Sequence, residues 1–328
     1  MNGNVVAKIS GNRFWSIKFI GPTLALIFLV CLPLFAGTYT LHLMILIFFY
    51  AYLGQSWNIL GGYAGQLSLG HATFLGLGAY TSTLLFIHLG LTPWLGIFIG
   101  AVLATLCGIL ISFMSFHFGL KSHFFALATI AFAEIFRLFA NTIQWVGGAQ
   151  GLLLPLKGNA PAVFQFIEKD PYYYIALAMM ILSTAIVYFL QRSRYGYYFI
   201  AIRENEEAAK ALGINTLRCK ILATAISAFL TAMGGTFFAQ YVLYIDPSGS
   251  FGVMVSVEIV LRTIVGGTGT LFGPILGSFA LTPLSDLIQS VVGVGRSGLY
   301  MMVYGVILMT VCLVMPNGIF PYLKRFFK

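Results

Sequence analysis

Long apolar runs separated by short polar breaks cover nearly the whole chain. A helix that crosses a hydrocarbon layer about 30 Å thick needs about 20 mostly apolar residues. Ten segments meet that rule: 19–36, 40–60, 66–88, 93–116, 124–146, 172–190, 220–244, 254–266, 271–291 and 298–315. The eighth is short and the third opens in a glycine-rich stretch, so either could be broken or re-entrant. The pattern predicts an all-α, polytopic transmembrane helix bundle of about ten spans, eight at the least.

Composition strengthens this picture. Of the 328 residues 59% are hydrophobic and only 8% charged, whereas a soluble domain carries about 25% charged residues. So few charges cannot cover a water-facing surface, and one membrane domain over 19–315 is expected. It lies between a cytoplasmic segment 1–18 and a basic cytoplasmic tail 316–328. Lys8, Arg13 and Lys18 ahead of the apolar run from Phe19 superficially resemble a signal peptide, but no small-residue cleavage site followed by a soluble mature domain appears, and a retained first span is expected.

The net charge of +9 is a statement about topology, not nucleic acid, because cytoplasmic loops retain Lys and Arg. With the N-terminus inside, the clusters at 8–18, 192–220 and 324–328 and Lys121 all fall on the inner side. The outer side receives only Lys157, Lys169 and Arg296. An even number of spans returns the basic tail to the cytoplasm, so span count and orientation support each other.

The chain carries no recognisable catalytic constellation and no metal-ligand cluster; Cys31, Cys107, Cys219 and Cys312 are scattered. No Gly-Lys dipeptide occurs, so the phosphate-cradling loop of ATPases is missing. No cofactor is expected, and the energy for any uphill transport must come from another subunit or an ion gradient. Intramembrane charges are functional candidates by default. Glu134 and Arg137 stand three apart, Glu258 and Arg262 four apart, so each couple can meet on one helix face. Self-neutralising pairs are the plain reading, a proton relay the other.

Two polar loops remain, an outer one at 147–171 and an inner one at 191–219. The inner run from Arg203 to Ile214 reads as one short helix, with acidic residues in its first turn, Lys210 in its last, and Gly213 available as a left-handed cap. Ala208, Ala209 and Ala211 leave a smooth face beside Leu212, suited to a groove on another protein. A solvated connector is the simpler alternative. Earlier in the chain, residues 57–80 hold glycines at 61, 62, 65, 70, 76 and 78. Irregular backbone at membrane depth is tolerated only where protein buries it or a polar cavity adjoins it. Gln55, Asn58, Gln66, Ser68 and His71 are therefore candidates for a translocation pathway, or else ordinary interhelical hydrogen bonders.

The run Glu207-Ala208-Ala209 followed by Gly213 resembles the EAA motif of ABC-importer permeases. That resemblance implies an ATPase-docking coupling helix carried by Glu204, Glu207, Ala208, Ala209, Leu212 and Gly213. The stretch from Trp57 to Tyr80 resembles the signature of LivM-type permeases of branched-chain amino-acid importers. The likeness continues through Val146–Leu152, Ala201–Glu204, Ser256–Leu261 and Val265–Pro274. One departure is Trp145-Val146, where a Thr is expected before the glycines. The resemblance implies a permease subunit without its own ATPase site, in the inner membrane of a prokaryote, moving branched-chain amino acids by alternating access. Its implied partners are a LivH-type permease, two cytoplasmic ATPase subunits and an extracytoplasmic substrate-binding protein. An ion-coupled secondary transporter using Glu134 or Asp286, and a channel for urea or another small polar solute, stay open as alternatives. Gly266–Gly273 loosely echoes Gly61–Gly70, as an internal duplication would.

Overall fold

The computed structural model describes residues 27–120 and 122–292, with isolated positions between 302 and 322. Among the described residues, seven helices are long and apolar enough to cross a membrane. The first is α1, Thr38–Trp57, which continues through a wider π-type turn at Asn58–Tyr63. Then come α2 (His71–Leu89), α3 (Pro93–His117), α4 (Ser122–Thr142) and α5 (Asp170–Arg192). Two short helices, α6 (Arg194–Glu204) and α7 (Glu206–Ala211), lead into α8 (Thr216–Val242). The seventh candidate combines α9 (Pro247–Phe251) and α10 (Val253–Gly266), and α11 (Gly273–Val292) adds a further 20-residue helix.

Several boundaries differ from the sequence expectation, each for a local reason. The span expected at 66–88 begins only at His71, because Gly65 adopts φ +67° and residues 64–70 leave the helical path. The segment expected at 254–266 is longer than it looked, since Asp246 caps a first turn by accepting from the Gly249 amide at 2.9 Å. Helix α4 stops at Thr142, not 146, where Gly147 and Gly148 take positive φ. Of 19–36 only the part from residue 27 is described, and 298–315 with both terminal segments lies largely outside the described residues.

Helices α2, α3 and α8 form the tightest part of the bundle, and small residues explain why. A Cβ on Gly100 would sit 3.2 Å from Gly78, and one on Gly96 3.0 Å from Ser82. In lipid, where apolar tails remove the hydrophobic reason for helices to associate, such close backbone approach and its dispersion energy hold them together. Helix α1 packs instead between α5 and α11, with Phe48 edge-on to Tyr173 and Phe279. The outward sides of α3 and α4 expose Leu95, Phe98, Val102, Leu106, Leu127 and Phe139, a surface suited to lipid.

At one end of the bundle, β1 (Leu152–Leu153) pairs antiparallel with β2 (Tyr244–Ile245). Trp94 secures the same loop by donating to the Pro161 carbonyl at 2.8 Å and stacking on Phe164. The opposite end gathers the π turn, the 64–70 link, α6, α7 and the 267–272 turn, and it carries Arg192, Arg194, Arg203, Lys210 and Arg218.

Candidate functional site

The polar residues singled out at 55–71 converge at this basic end, all of them buried. The folding of the π turn is local. Trp57 and Asn58 each lie four residues before a glycine, and a Cβ on Gly61 would strike the Trp57 indole while one on Gly62 would strike the Asn58 side chain. Glycine at both positions lets the two side chains fold back over the turn. Trp57 Nε1 then donates to the Ser68 carbonyl at 2.8 Å, tying the turn to the extended link.

Three consecutive residues of the second glycine segment bond to the end of α1. Asn58 Oδ1 accepts from the Gly269 amide at 2.8 Å, and Asn58 Nδ2 donates to the Thr270 carbonyl at 2.9 Å. Gln55 Nε2 donates to the Leu271 carbonyl at 2.6 Å. The two glycine stretches that echo each other in sequence therefore meet directly, with the site of a Gly62 Cβ only 2.6 Å from the Gly269 nitrogen.

His71 starts α2 and joins three helices. Its Nε2 shares a hydrogen bond of 2.7 Å with Ser227 of α8, whose hydroxyl donates to the Ser56 carbonyl of α1 at 2.7 Å. The adjacent Ala72 amide donates to Ser256 of α10 at 2.8 Å. Ser68 accepts weakly from the Gly70 amide, and Gln66 Nε2 donates to the Ala64 carbonyl at 3.1 Å, leaving its buried Oε1 without a protein partner. The extended link is further held by α4, since Leu67 and Leu69 donate to the hydroxyls of Ser122 and Thr129. These five buried residues thus lie where the end of α1, the extended link and the 269–271 segment are tied together by hydrogen bonds, while Gln55 Oε1, Gln66 Oε1 and His71 Nδ1 have no partner among the described residues.

The inner loop is organised differently from the expected single helix. Glu204 ends α6, and Asn205 turns extended and caps a new helix by accepting from the Ala208 amide at 3.0 Å. An Asn side chain satisfies an orphan amide in this way and so starts a helix where it stands. Leu212 and Gly213 fall just beyond α7, Gly213 at φ +83°. Ala209 is buried, while Glu207, Ala208 and Ala211 are exposed and Leu212 is 81% exposed. The outward face is thus Glu207, Ala208, Ala211 and Leu212, with Ala209 on the inward side.

Glu206 anchors α7 from below. It meets Lys220 Nζ of α8 at 2.6 Å and Lys210 Nζ at 3.4 Å. Burial pushes its carboxyl up, but the hydrogen bond and charge of Lys220, joined by Lys210, outweigh that and leave it below the usual carboxylate value. A lowered carboxylate stabilises the contact above its unfolded pKa and ceases to do so as the pH falls through the folded value. A nitroxide on Leu212→Cys is therefore expected to be restrained at pH 7 and to gain mobility only as the pH falls below the ordinary carboxylate range. In an added Glu206→Gln background it should be mobile throughout.

Of the membrane charges, Arg137 Nε donates to Glu134 at 2.9 Å within α4. Arg262, 2% exposed, has Nη1 3.2 Å from Glu258 Oε2, and its guanidinium lies 3.6 Å from the centre of the Tyr50 ring. Asp286 accepts from Tyr39. Arg203 stands out as a residue whose place the composition of the inner loop did not reveal: Nη1 donates to the Gly62 carbonyl at 3.0 Å. Its signal in the sequence was its position just ahead of the Asn cap, combined with glycines at 62, 65 and 269 that leave room for a side chain.

The buried polar residues between Gln55 and His71 thus lie at the end of an apolar helix bundle over which two short helices are laid. The chain belongs to the family of branched-chain amino acid transport system permease components, whose model matches residues 39–312. It is 29% identical over 287 residues to the high-affinity branched-chain amino acid transport system permease protein LivM of Escherichia coli K12, covering 80% of this chain and 67% of that protein. Its identity to the LivM protein of Salmonella typhimurium LT2 is 27% over 315 residues, 87% of this chain and 73% of the other. A shorter match, 31% over 153 residues and under half of either chain, is to the autoinducer 2 import system permease protein LsrC of Klebsiella pneumoniae. No solved structure matches.

Proposed function

We propose that this chain is the LivM-type permease subunit of an ATP-binding-cassette importer that moves branched-chain amino acids into a prokaryotic cell across its inner membrane. It works beside a LivH-type permease, two cytoplasmic ATPase subunits and an extracytoplasmic substrate-binding protein. The full chain then crosses about ten times, with both termini in the cytoplasm. The family match over 39–312 supports the permease role. The observation that carries the mechanism is the exposed face of α7, with Glu207, Ala208 and Leu212 turned away from the bundle at its basic end. Such a face has something to dock onto outside the chain, and the knot of Gln55, Asn58, Gln66, Ser68 and His71 beneath it serves as the closed inner gate.

In alternating access, closure of the ATPase dimer pushes α7, and the knot re-packs to change which side is open. Leucine uptake into liposomes holding the complete complex should require ATP, both ATPases and the binding protein. Uptake by this chain alone, driven by an ion gradient, would defeat the proposal. Glu207→Lys and Gly213→Val are expected to lower uptake while ATP hydrolysis persists. Normal coupled transport in both variants would remove α7 from this role.

A further inference from the structure

We infer that Arg203 is the positioning residue that carries movement of the α6–α7 segment to both glycine turns of the gate; this rests on α7 being the ATPase-docking helix. Its stem and its head touch different turns. A Cβ on Gly65, at φ +67°, would lie 2.7 Å from Arg203 Cγ and 3.1 Å from its Cα, so the link backbone rests against the stem. At the head, Nη1 donates to the Gly62 carbonyl at 3.0 Å. The same Nη1 is 2.6 Å from the site of a Cβ on Gly269, also at positive φ. One side chain therefore bridges the π turn, the extended link and the 267–270 turn.

The fork is held in orientation. Arg203 Nε and Nη2 donate to Glu204 Oε1 at 3.1 and 2.7 Å, which leaves Nη1 directed at Gly62. A planar guanidinium makes these bonds together, and an ammonium, a flexible point charge, does not. A carbonyl within a π turn is displaced from the regular helical ladder, which makes it a natural acceptor for an outside donor. Beneath Arg203, the buried Phe199 and Ile202 seat α6 on the bundle. Beyond it, Asn205 stands at the junction of α6 and α7, its amide bonded to the Ala201 carbonyl at 3.0 Å. Displacing α7 thus tilts the last turn of α6 and moves Arg203. Gly62 follows Arg203, and Asn58 carries the shift to Gly269 and Thr270 through the two bonds described above.

A pin of this kind contributes little to static stability, because the Arg203 and Glu204 side chains are 36% and 68% exposed and such ion pairs are weak. That separates it from a merely structural residue. Arg203→Gln and Arg203→Lys are to be compared with the unaltered chain in the complete complex, reconstituted in liposomes with leucine as probe. Leucine moved per ATP hydrolysed is the readout, with melting of the purified complex as a check. Arg203→Gln should lower that ratio about tenfold while melting is unchanged, and Arg203→Lys should recover only part of it. Docking is read separately by cross-linking Leu212→Cys to the ATPase subunits. A cross-link together with an unchanged transport ratio in Arg203→Gln overturns the pin and leaves the docking helix standing. Absence of any cross-link overturns both. Should Arg203→Gln fail to assemble, the ratio in Arg203→Lys decides: a wild-type value sinks the inference and a lowered one supports it.

Discussion

Replacing Glu258 by alanine is expected to destabilise the protein by about 3 kcal/mol, the loss that follows when one member of a buried ion pair is removed. Arg262 is 2% exposed and cannot discard its charge, so its environment must supply the compensation. Glu258 does most of this: its Oε2 is 3.2 Å from Arg262 Nη1 and also accepts from Tyr50 at 2.9 Å. The partners that survive in the variant include the backbone carbonyl of residue 258 at 3.0 Å, Thr282 at 3.3 Å and the face of the Tyr50 ring. These soften the loss without cancelling the charge. Glu258→Gln keeps an acceptor for Tyr50 and Arg262 and should cost less. A Glu258→Ala, Arg262→Met double variant should recover most of the stability, because it removes the buried charge along with its partner. Denaturant or thermal unfolding of the purified protein measures all three. A single-variant loss under about 1 kcal/mol, or a double variant no better than Glu258→Ala, would show that water or lipid headgroups already solvate Arg262.

Helix spacing made the Glu134–Arg137 and Glu258–Arg262 pairs legible in advance, because partners three or four apart must share a face whatever the rest of the fold does. The positions of most spans were equally legible, since hydrophobic length follows from membrane thickness alone. Long-range partners were not. Nothing near Asn58 says that its amide will bond to residues 269 and 270, more than two hundred positions away, although the glycine pair four residues after Trp57 and Asn58 did mark an unusual backbone. The break in the inner loop was within reach, because Asn205 stands three residues before Ala208 as an N-cap should. The acidic residues on both sides of it nevertheless read as one continuous first turn. In the sequence Arg203 reads as a positive charge that opens the 203–214 run and belongs to the Ala201–Glu204 likeness. Its contacts depend on three glycines, Gly62, Gly65 and Gly269, drawn from two distant segments and brought to one point by α1 and α10. Composition registers a charge; only the assembled turns say what it is aimed at.

A Gly235→Val substitution is expected to part α2 from α8 and to lower the melting temperature of the purified protein, with a cost at or above the usual 1–3 kcal/mol of an overpacked core. The two helices run parallel, as the His71–Ser227 bond and the Gly78–Ala232 contact one above the other require. A Cβ at 235 falls onto the Leu75 carbonyl and 2.9 Å from the Ala79 amide nitrogen. Both obstacles are backbone, so no side chain can rotate away, and α2 must shift as a body. Gly78 meets Ala232 in the same manner, its Cβ position 2.7 Å from the Ala232 Cα. Gly78→Ala and Gly235→Ala act on one interface, and their combined effect should fall short of the sum once either has forced the helices apart. The damage should reach the proposed gate as well, because α2 begins at His71 and the Ser227 hydroxyl that His71 meets also holds the Ser56 carbonyl of α1. Gly37→Ala is the reference: that glycine caps α1 at φ −71° with open space around it, and its replacement should cost no more than the roughly 1 kcal/mol of a weakened N-cap. If Gly235→Val melts together with Gly37→Ala, then α2 and α8 do not touch in the membrane, and the knot that their contact positions is not the closed gate.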